Sequence, residues 1–369
     1  MNIPFLDLRA NARTVKSEVL ARIEEIIDNS AFVGGKYVAS FETRFAAMHA
    51  VDHCIAVSSG TAGNHLALWA LGIGSGDEVI VPVNTFIATA WGATLCGATP
   101  VFVDNDPLSY TIDPNKVEEA ITSRTKAIVA VHLYGQSADI DPLRKIADRH
   151  GLYLVEDAAQ AHLATYNGVP VGNFGITSSF SFYPGKNLGA FGEGGAVVTN
   201  DADIAKHIAM IKDHGSAQKY YHPIEGHNYR MSHIIGASLD AKLAHLEAWT
   251  DARRSRAALY RKYLADIAEV VLPEEIPYAK HVYHLFVIRT ERRDALAAHL
   301  QAHGIASGMH YPLPLHRQEV FAHLGYKEGA FPVAEAQTAQ ILSLPIYPEL
   351  SEAQIIYIAE TIRDFFRSL

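Results

Sequence analysis

The sequence predicts an α/β fold, a mixed but largely parallel sheet flanked by helices on both faces, with a smaller α+β domain after it. Three patterns carry this expectation. Short apolar runs alternate with helical periods from residue 53 to residue 160, the rhythm of repeated βα units. The run Leu152 to Val155 is apolar without alternation and ends in Glu156 and Asp157, as a buried parallel strand does when it delivers a carboxylate to the ligand-binding edge of an open sheet. Later, a strand at His284 to Ile288, a helix at Arg292 to His303 and a last helix at Glu352 to Phe366 fit a second unit. We divide the chain at a soft boundary, into a large domain with an N-terminal helix (1–250) and a smaller C-terminal domain (251–369).

The other elements follow in chain order. Val15, Val19, Ile23, Ile26 and Ile27 stand at helical spacing, and a second helix is expected at Val38 to His49 after the turn Phe32 to Gly35. Strand His53 to Val57 ends at Ser58 and Ser59, and Gly60 and Thr61 start a helix. Such a start turns free backbone N–H groups and a positive helix end toward an anion, although a Ser or Thr there is equally an ordinary N-cap. Strands follow at Glu78 to Val81, Pro100 to Val103 and Ala127 to Val131, with Asp113 and Pro114 opening one helix and Ile140 to His150 forming another. The charge-free run Thr85 to Val103 contains Pro100 and turn residues, so it reads as a helix and a strand rather than a membrane span. Ala164 to Gly175 suggests a hairpin, Ala196 to Asn200 a returning strand and Ala202 to Lys212 a helix. Lys219 to Met231 has no period and reads as a long loop that reaches toward a neighbour. Ile234 to Tyr263 lacks proline and is expected to be one long helix.

Composition narrows the function. With 49% hydrophobic and 19% charged residues in 369, the chain is a globular enzyme-sized protein rather than a disordered one. A net charge of −9 without a Lys/Arg block gives no surface for nucleic acid or anionic membrane. Cys54 and Cys96 lie on apolar segments, so a secreted disulfide framework is not expected and a reducing cytoplasm fits. Asp7 and Arg9 occupy the place of a signal peptide's apolar core. No HExxH or CxxC pattern marks a metal site.

The most informative stretch is Ser178 to Gly195. Ser and Phe alternate to Phe182, Pro184 and Gly185 turn the chain, Lys186 follows, and Gly189, Gly192, Gly194 and Gly195 complete the loop. The strand-and-turn pattern lets the lysine face a cleft, and burial with nearby cations would lower its pKa toward the nucleophilic amine. A loop lysine in water is the plainer reading of Lys186 by itself.

Five ordered motifs resolve that choice. SGTAGNHLAL at Ser59 to Leu68, EDAAQAH at Glu156 to His162, SFYPGKNLGAFGEGG at Ser181 to Gly195, GHNYRM at Gly226 to Met231 and HYPLPLH at His310 to His316 resemble the DegT/DnrJ/EryC1/StrS family across essentially the whole chain. The resemblance implies the fold type I architecture of enzymes that use pyridoxal 5'-phosphate (PLP), acting on nucleotide sugars. It implies that Lys186 is the catalytic Schiff-base lysine, that Asp157 pairs with the pyridine nitrogen, that Phe86 stacks on the ring and that Gln160 serves its phenolic oxygen. Gly60, Thr61, Ala62 and Ser181 are then expected at the phosphate, with Asn228 supplied by a second subunit of a homodimer. Tyr183, His310 and Tyr311 are the expected substrate contacts, although Pro312 and Pro314 also suit a purely structural loop at the last two. The implied reaction moves the amino group of L-glutamate to the C3 keto group of a dTDP-linked 3-keto-6-deoxyhexose, for polysaccharide or secondary-metabolite glycosylation. Amination at C4, or of a UDP-linked 3-keto sugar, stays open. A sugar dehydratase, which carries His at the lysine position, a cysteine desulfurase and a non-catalytic regulator are the remoter alternatives.

Overall fold

A computed structural model describes residues 1–368. The chain begins with α1 (Leu8–Asp28), whose first turn is capped by Asp7, and α2 (Lys36–His49), and then enters the sheet at β1 (His53–Val57). Next come α3 (Gly60–Trp69), β2 (Glu78–Pro82), α4 (Ile87–Leu95) and β3 (Thr99–Val103). A short α5 (Pro114–Val117), capped by Asp113, precedes β4 (Thr125–Val131), α6 (Ile140–His150) and β5 (Tyr153–Asp157). A hairpin of β6 (Thr165–Tyr166) and β7 (Val169–Pro170) leads to β8 (Thr177–Ser181), β9 (Gly195–Thr199) and α7 (Ala202–Ile211).

The seven-stranded sheet has the order β1-β9-β8-β5-β4-β2-β3. Strands β3, β2, β4, β5 and β8 run parallel, while β9 is antiparallel to both β8 and β1. The mixed, largely parallel sheet expected from the alternation is therefore present. Helices buried against both faces account for apolar runs without alternation: every residue of β2 is buried, as is every residue of β9. One apolar cluster joins α3, α4 and α7 to the sheet, and others join α2, β8 and α8 or lie around α6.

The expected long helix at Ile234 to Tyr263 is two helices, α8 (His233–Leu243) and α9 (Leu246–Leu264). The break needs no proline. His245 N bonds to Lys242 O, a tightened last turn, and the two halves pack on different neighbours. Helix α8 is buried along almost its whole length against α1 and α2, where a Cβ on Gly236 would lie 2.6 Å from Val38 Cγ2. Helix α9 instead buries one face against the C-terminal helix.

After α9 come β10 (Ala279–Lys280), β11 (Phe286–Arg289), α10 (Arg293–Ala302), α11 (Pro332–Gln340), β12 (Ile341–Leu344) and α12 (Glu352–Arg367). Strand β12, which the sequence reading did not identify, pairs antiparallel with β11, and α12 begins with a capping box between Ser351 and Gln354. The core here includes Ile3, so the N-terminus packs on C-terminal elements. Among the described residues, no helix is long and apolar enough to cross a membrane.

Candidate active site

The C-terminal ends of β5 and β8 and the first turn of α3 converge on one place. Asp157 is the last residue of β5 and is buried. Its Oδ2 accepts from Asn64 Nδ2 at 2.9 Å and Thr89 Oγ1 at 2.7 Å, and its Oδ1 accepts from Ala159 N at 3.1 Å. Because Thr89 donates to Asp157, the 2.9 Å contact between the Thr85 and Thr89 hydroxyls must have Thr85 as donor. Ser179 Oγ in turn donates to Asn64 Oδ1. Asp157 is thus fixed from α3, α4 and β8 by neutral donors, and no cation forms an ion pair with it among the described residues. Oδ1, an acceptor with only one partner, suits a donor such as a protonated ring nitrogen.

Asp157 is adjacent in sequence to a second buried carboxylate with a different task. Glu156 accepts from Gly172 N and Phe174 N at 2.9 Å, Gly175 N at 2.7 Å and His132 Nε2 at 2.9 Å. Ala138 N donates to His132 Nδ1, which puts the imidazole proton on Nε2, toward Glu156. Glu156 therefore ties the hairpin segment to β4, and its neighbour faces the site.

The first turn of α3 offers an anion cradle. Ser59 Oγ caps the helix by accepting from Ala62 N at 3.1 Å, so the Gly60 and Thr61 N–H groups remain without an intrahelical partner. Gly60 is required sterically: a Cβ there would lie 2.6 Å from Ser181 Cβ and 3.0 Å from Ser181 Oγ. Backbone donors and a hydroxyl consequently meet where β8 ends, the donor set a phosphate uses.

Lys186 follows β8 in a loop closed by a 2.8 Å bond from its own N–H to Tyr183 O. Burial lowers its pKa to about 8, and the Asp157 carboxylate works in the opposite direction. The nearby cations invoked from the sequence are not the cause; desolvation is. Burial, with Lys186 contributing, also pushes His310 down to about 4, so that imidazole is neutral around pH 7.

Gln160 Oε1 accepts from Tyr134 N at 2.7 Å, and its Nε2 donates to the Tyr311 hydroxyl at 3.0 Å. It lies in a turn after β5 rather than on a helix, because Ala158 to His162 forms successive turns. Tyr311 also packs on Phe86, with ring centroids 5.6 Å apart. Phe86 is 50% exposed at the N-terminus of α4, so it is not the ordinary core phenylalanine. Tyr183 is exposed, and its N–H donates to Ser181 Oγ at 3.3 Å. His310 Nδ1 meets Ser343 Oγ at 2.9 Å, and the His310 ring stacks on Phe5.

Asn228 stands apart. It is exposed in the segment between α7 and α8, held by a bridge to Asp213, and no hydrogen bond joins it to the Lys186 group among the described residues. Its neighbour Tyr229 accepts from Ser58 N at 2.7 Å. Sequence reasoning missed Asn64, Thr89, Ser179 and Tyr134. Asn64 had a legible signal, since it lies four residues after Gly60 and hence on the same helix face.

Neither cysteine serves this site: burial pushes the Cys96 thiol up to about 12, and Cys54 lies on β1. Among the described residues, no group of three His, Cys, Asp or Glu is arranged for a metal ion.

Comparison with known proteins agrees with this geometry. Residues 13–363 match the model of the DegT/DnrJ/EryC1/StrS aminotransferase family. The chain is 47% identical to the pleiotropic regulatory protein of Geobacillus stearothermophilus, covering 100% of this chain and 99% of that one. It is 46% identical to the dTDP-3-amino-3,4,6-trideoxy-alpha-D-glucose transaminase of Streptomyces venezuelae, covering 98% and 96%. The crystal structure of S. venezuelae DesV in complex with a ketimine intermediate superposes with a TM-score of 0.96 at 46% identity, covering 99% of this chain and 98% of that one. A lysine with lowered pKa, a buried aspartate and a phosphate cradle at one sheet edge are what PLP chemistry requires, and the chain belongs to the DegT/DnrJ/EryC1/StrS aminotransferase family of PLP-dependent enzymes.

Proposed function

We propose that this aminotransferase moves the amino group of L-glutamate to the C3 keto group of a dTDP-linked 3-keto-6-deoxyhexose, giving a dTDP-3-amino-3,6-dideoxyhexose. The observation that carries the reading is the combination of a half-buried Lys186, its pKa near 8, with a buried Asp157 held by neutral donors, beside the Gly60 cradle. The high identity to a dTDP-sugar transaminase along nearly the full chain supports the substrate class.

When bound, PLP supplies an aldehyde and an electron-withdrawing ring that carry the amino group from one substrate to the other. Lys186 Nζ would hold the cofactor, and its amine, with a pKa near 8, would move a proton at the donor's α-carbon. Asp157 Oδ1 keeps a proton on the pyridine nitrogen. Gly60 and Thr61 would bind the phosphate through their free N–H groups at the α3 end, with Ser181 beside them, while the N–H of Ala62, also expected there, is engaged by Ser59 Oγ. Phe86, half-exposed at the start of α4, would stack on the cofactor ring, and Gln160 would serve its phenolic oxygen. Tyr183, His310 and Tyr311 line the sugar side.

Asn228 completes the phosphate site of a partner subunit, so the working form is a cytoplasmic homodimer with shared sites. Its exposure, far from any hydrogen bond to its own Lys186 group, supports that role. The test is an assay across dTDP- and UDP-linked 3-keto and 4-keto sugars with L-glutamate, reading product regiochemistry by NMR. Amine at C3 of the dTDP sugar is expected. Amine at C4, a preference for UDP, or a deoxygenated product overturns the assignment.

A further inference from the structure

We propose that Lys242 is a positioning residue for Lys186, holding the loop that carries it through the carbonyl of Gly189; the inference rests on the aminotransferase reading above.

Lys242 lies near the end of α8 and is 3% exposed. An ammonium buried this deeply is costly unless its protons find strong acceptors. Among the described residues it has no ion-pair partner, the Glu349 carboxylate acting on it only at longer range. Its Nζ donates to Gly189 O at 2.6 Å, and the charge sits 4.6 Å from the ring centroid of Phe191 and 5.9 Å from that of Trp249. A charge-assisted bond to a carbonyl, with two aromatic faces around the cation, is a directed contact rather than a solvated surface charge.

The carbonyl it grips belongs to the Lys186 loop. Between Phe182 and Ala190 the chain has no helix or strand, and its shape depends on a few contacts. Ala190 N bonds to Phe182 O at 2.8 Å, and Gly189 approaches Pro184 so closely that a Cβ would lie 2.1 Å from Pro184 O. On the other side, Asn187 Nδ2 donates to Val282 O at 3.1 Å. The loop is therefore fastened at Asn187 from the C-terminal side and at Gly189 from α8, and Lys186 lies directly before these two anchors, between them and the closure at Pro184.

Helix α8 is a firm anchor. Two residues before Lys242, Asp240 is buried and pairs with Arg22 of α1 and Arg44 of α2, and Ser40 Oγ donates to it at 2.8 Å. Burial lowers the Lys242 pKa to about 8, with Glu349 opposing, so the ammonium donor is retained below that pH.

The test compares Lys242→Met and Lys242→Arg with the unaltered PLP-loaded protein. The readouts are kcat and KM for L-glutamate and the pH midpoint of the visible absorption band of the resting protein. For Lys242→Met we expect kcat to fall about tenfold to a hundredfold, the cost of a small misplacement near reacting atoms. KM should stay within about twofold, since no substrate contact is removed. The midpoint should shift, and Lys242→Arg should recover part of both effects. A folded Lys242→Met protein with unchanged kcat and midpoint overturns the proposal, as does one that melts early yet keeps both. If Lys242→Met does not fold, Phe191→Leu replaces it: a shifted midpoint supports the proposal, and an unchanged one overturns it. Failure of the unaltered protein to show a band responsive to L-glutamate would instead count against the aminotransferase reading.

Discussion

Asn64 Nδ2 lies 2.9 Å from Asp157 Oδ2, so the helix that begins at the Gly60 anion cradle also orients the buried carboxylate at the end of β5. One rigid element thereby links the cradle to the carboxylate. A second donor, Thr89 on α4, meets the same oxygen and leaves Oδ1 with the Ala159 N–H as its one partner.

Asp157→Asn keeps the shape but removes the negative charge that, on the proposed function, would hold a proton on the ring nitrogen. We expect PLP to remain bound while kcat falls about a hundredfold or more, the scale of losing one electrostatic partner of a developing charge. Single-turnover absorbance with L-glutamate reads this. A variant within a few-fold of the parent shows that the carboxylate is not needed.

Gly60→Ala tests the cradle. The new Cβ would meet Ser181 Cβ at 2.6 Å, an atom anchored on β8 rather than the end of a flexible chain. PLP should bind about tenfold more weakly or worse, the strain being about 1–3 kcal/mol. Titration of the apoprotein with PLP measures it, and unchanged affinity means that the phosphate lies elsewhere.

The pH dependence of cofactor capture follows from Lys186. Its folded pKa, about 8, lies below its ordinary 10.5, so the folded chain releases this proton earlier than the unfolded chain. Capture of PLP by the apoprotein should accelerate as pH rises through about 8, and the apoprotein should gain stability from there toward 10.5, with Lys242 adding to the gain. Stopped-flow absorbance across pH reports the lysine specifically. A midpoint near 10 indicates a solvated amine.

Much of this was legible before any coordinates. The strands His53 to Val57 and Leu152 to Asp157 show themselves because burial on both faces demands unbroken apolar runs. Lys186, Asp157 and Gly60 sit at strand ends or turns, where residue type and punctuation agree. What stayed hidden was tertiary. The break at Ala244 and His245 has no proline or glycine to announce it and arises because α8 and α9 pack on different neighbours. The hydroxyls of Thr89 and Ser179 look like any half-polar residue until the fold aims them at Asp157 and Asn64. Burial, one of the two causes expected for a lowered Lys186 pKa, acts there, while the expected nearby cations do not.

The most direct measurement is the visible absorption spectrum of the PLP-loaded protein before and after L-glutamate, with Lys186→Ala alongside. The account predicts a band for the lysine-bound cofactor that disappears on adding L-glutamate and is missing from Lys186→Ala. A protein without the band contradicts the role of Lys186, and a band indifferent to L-glutamate contradicts the donor.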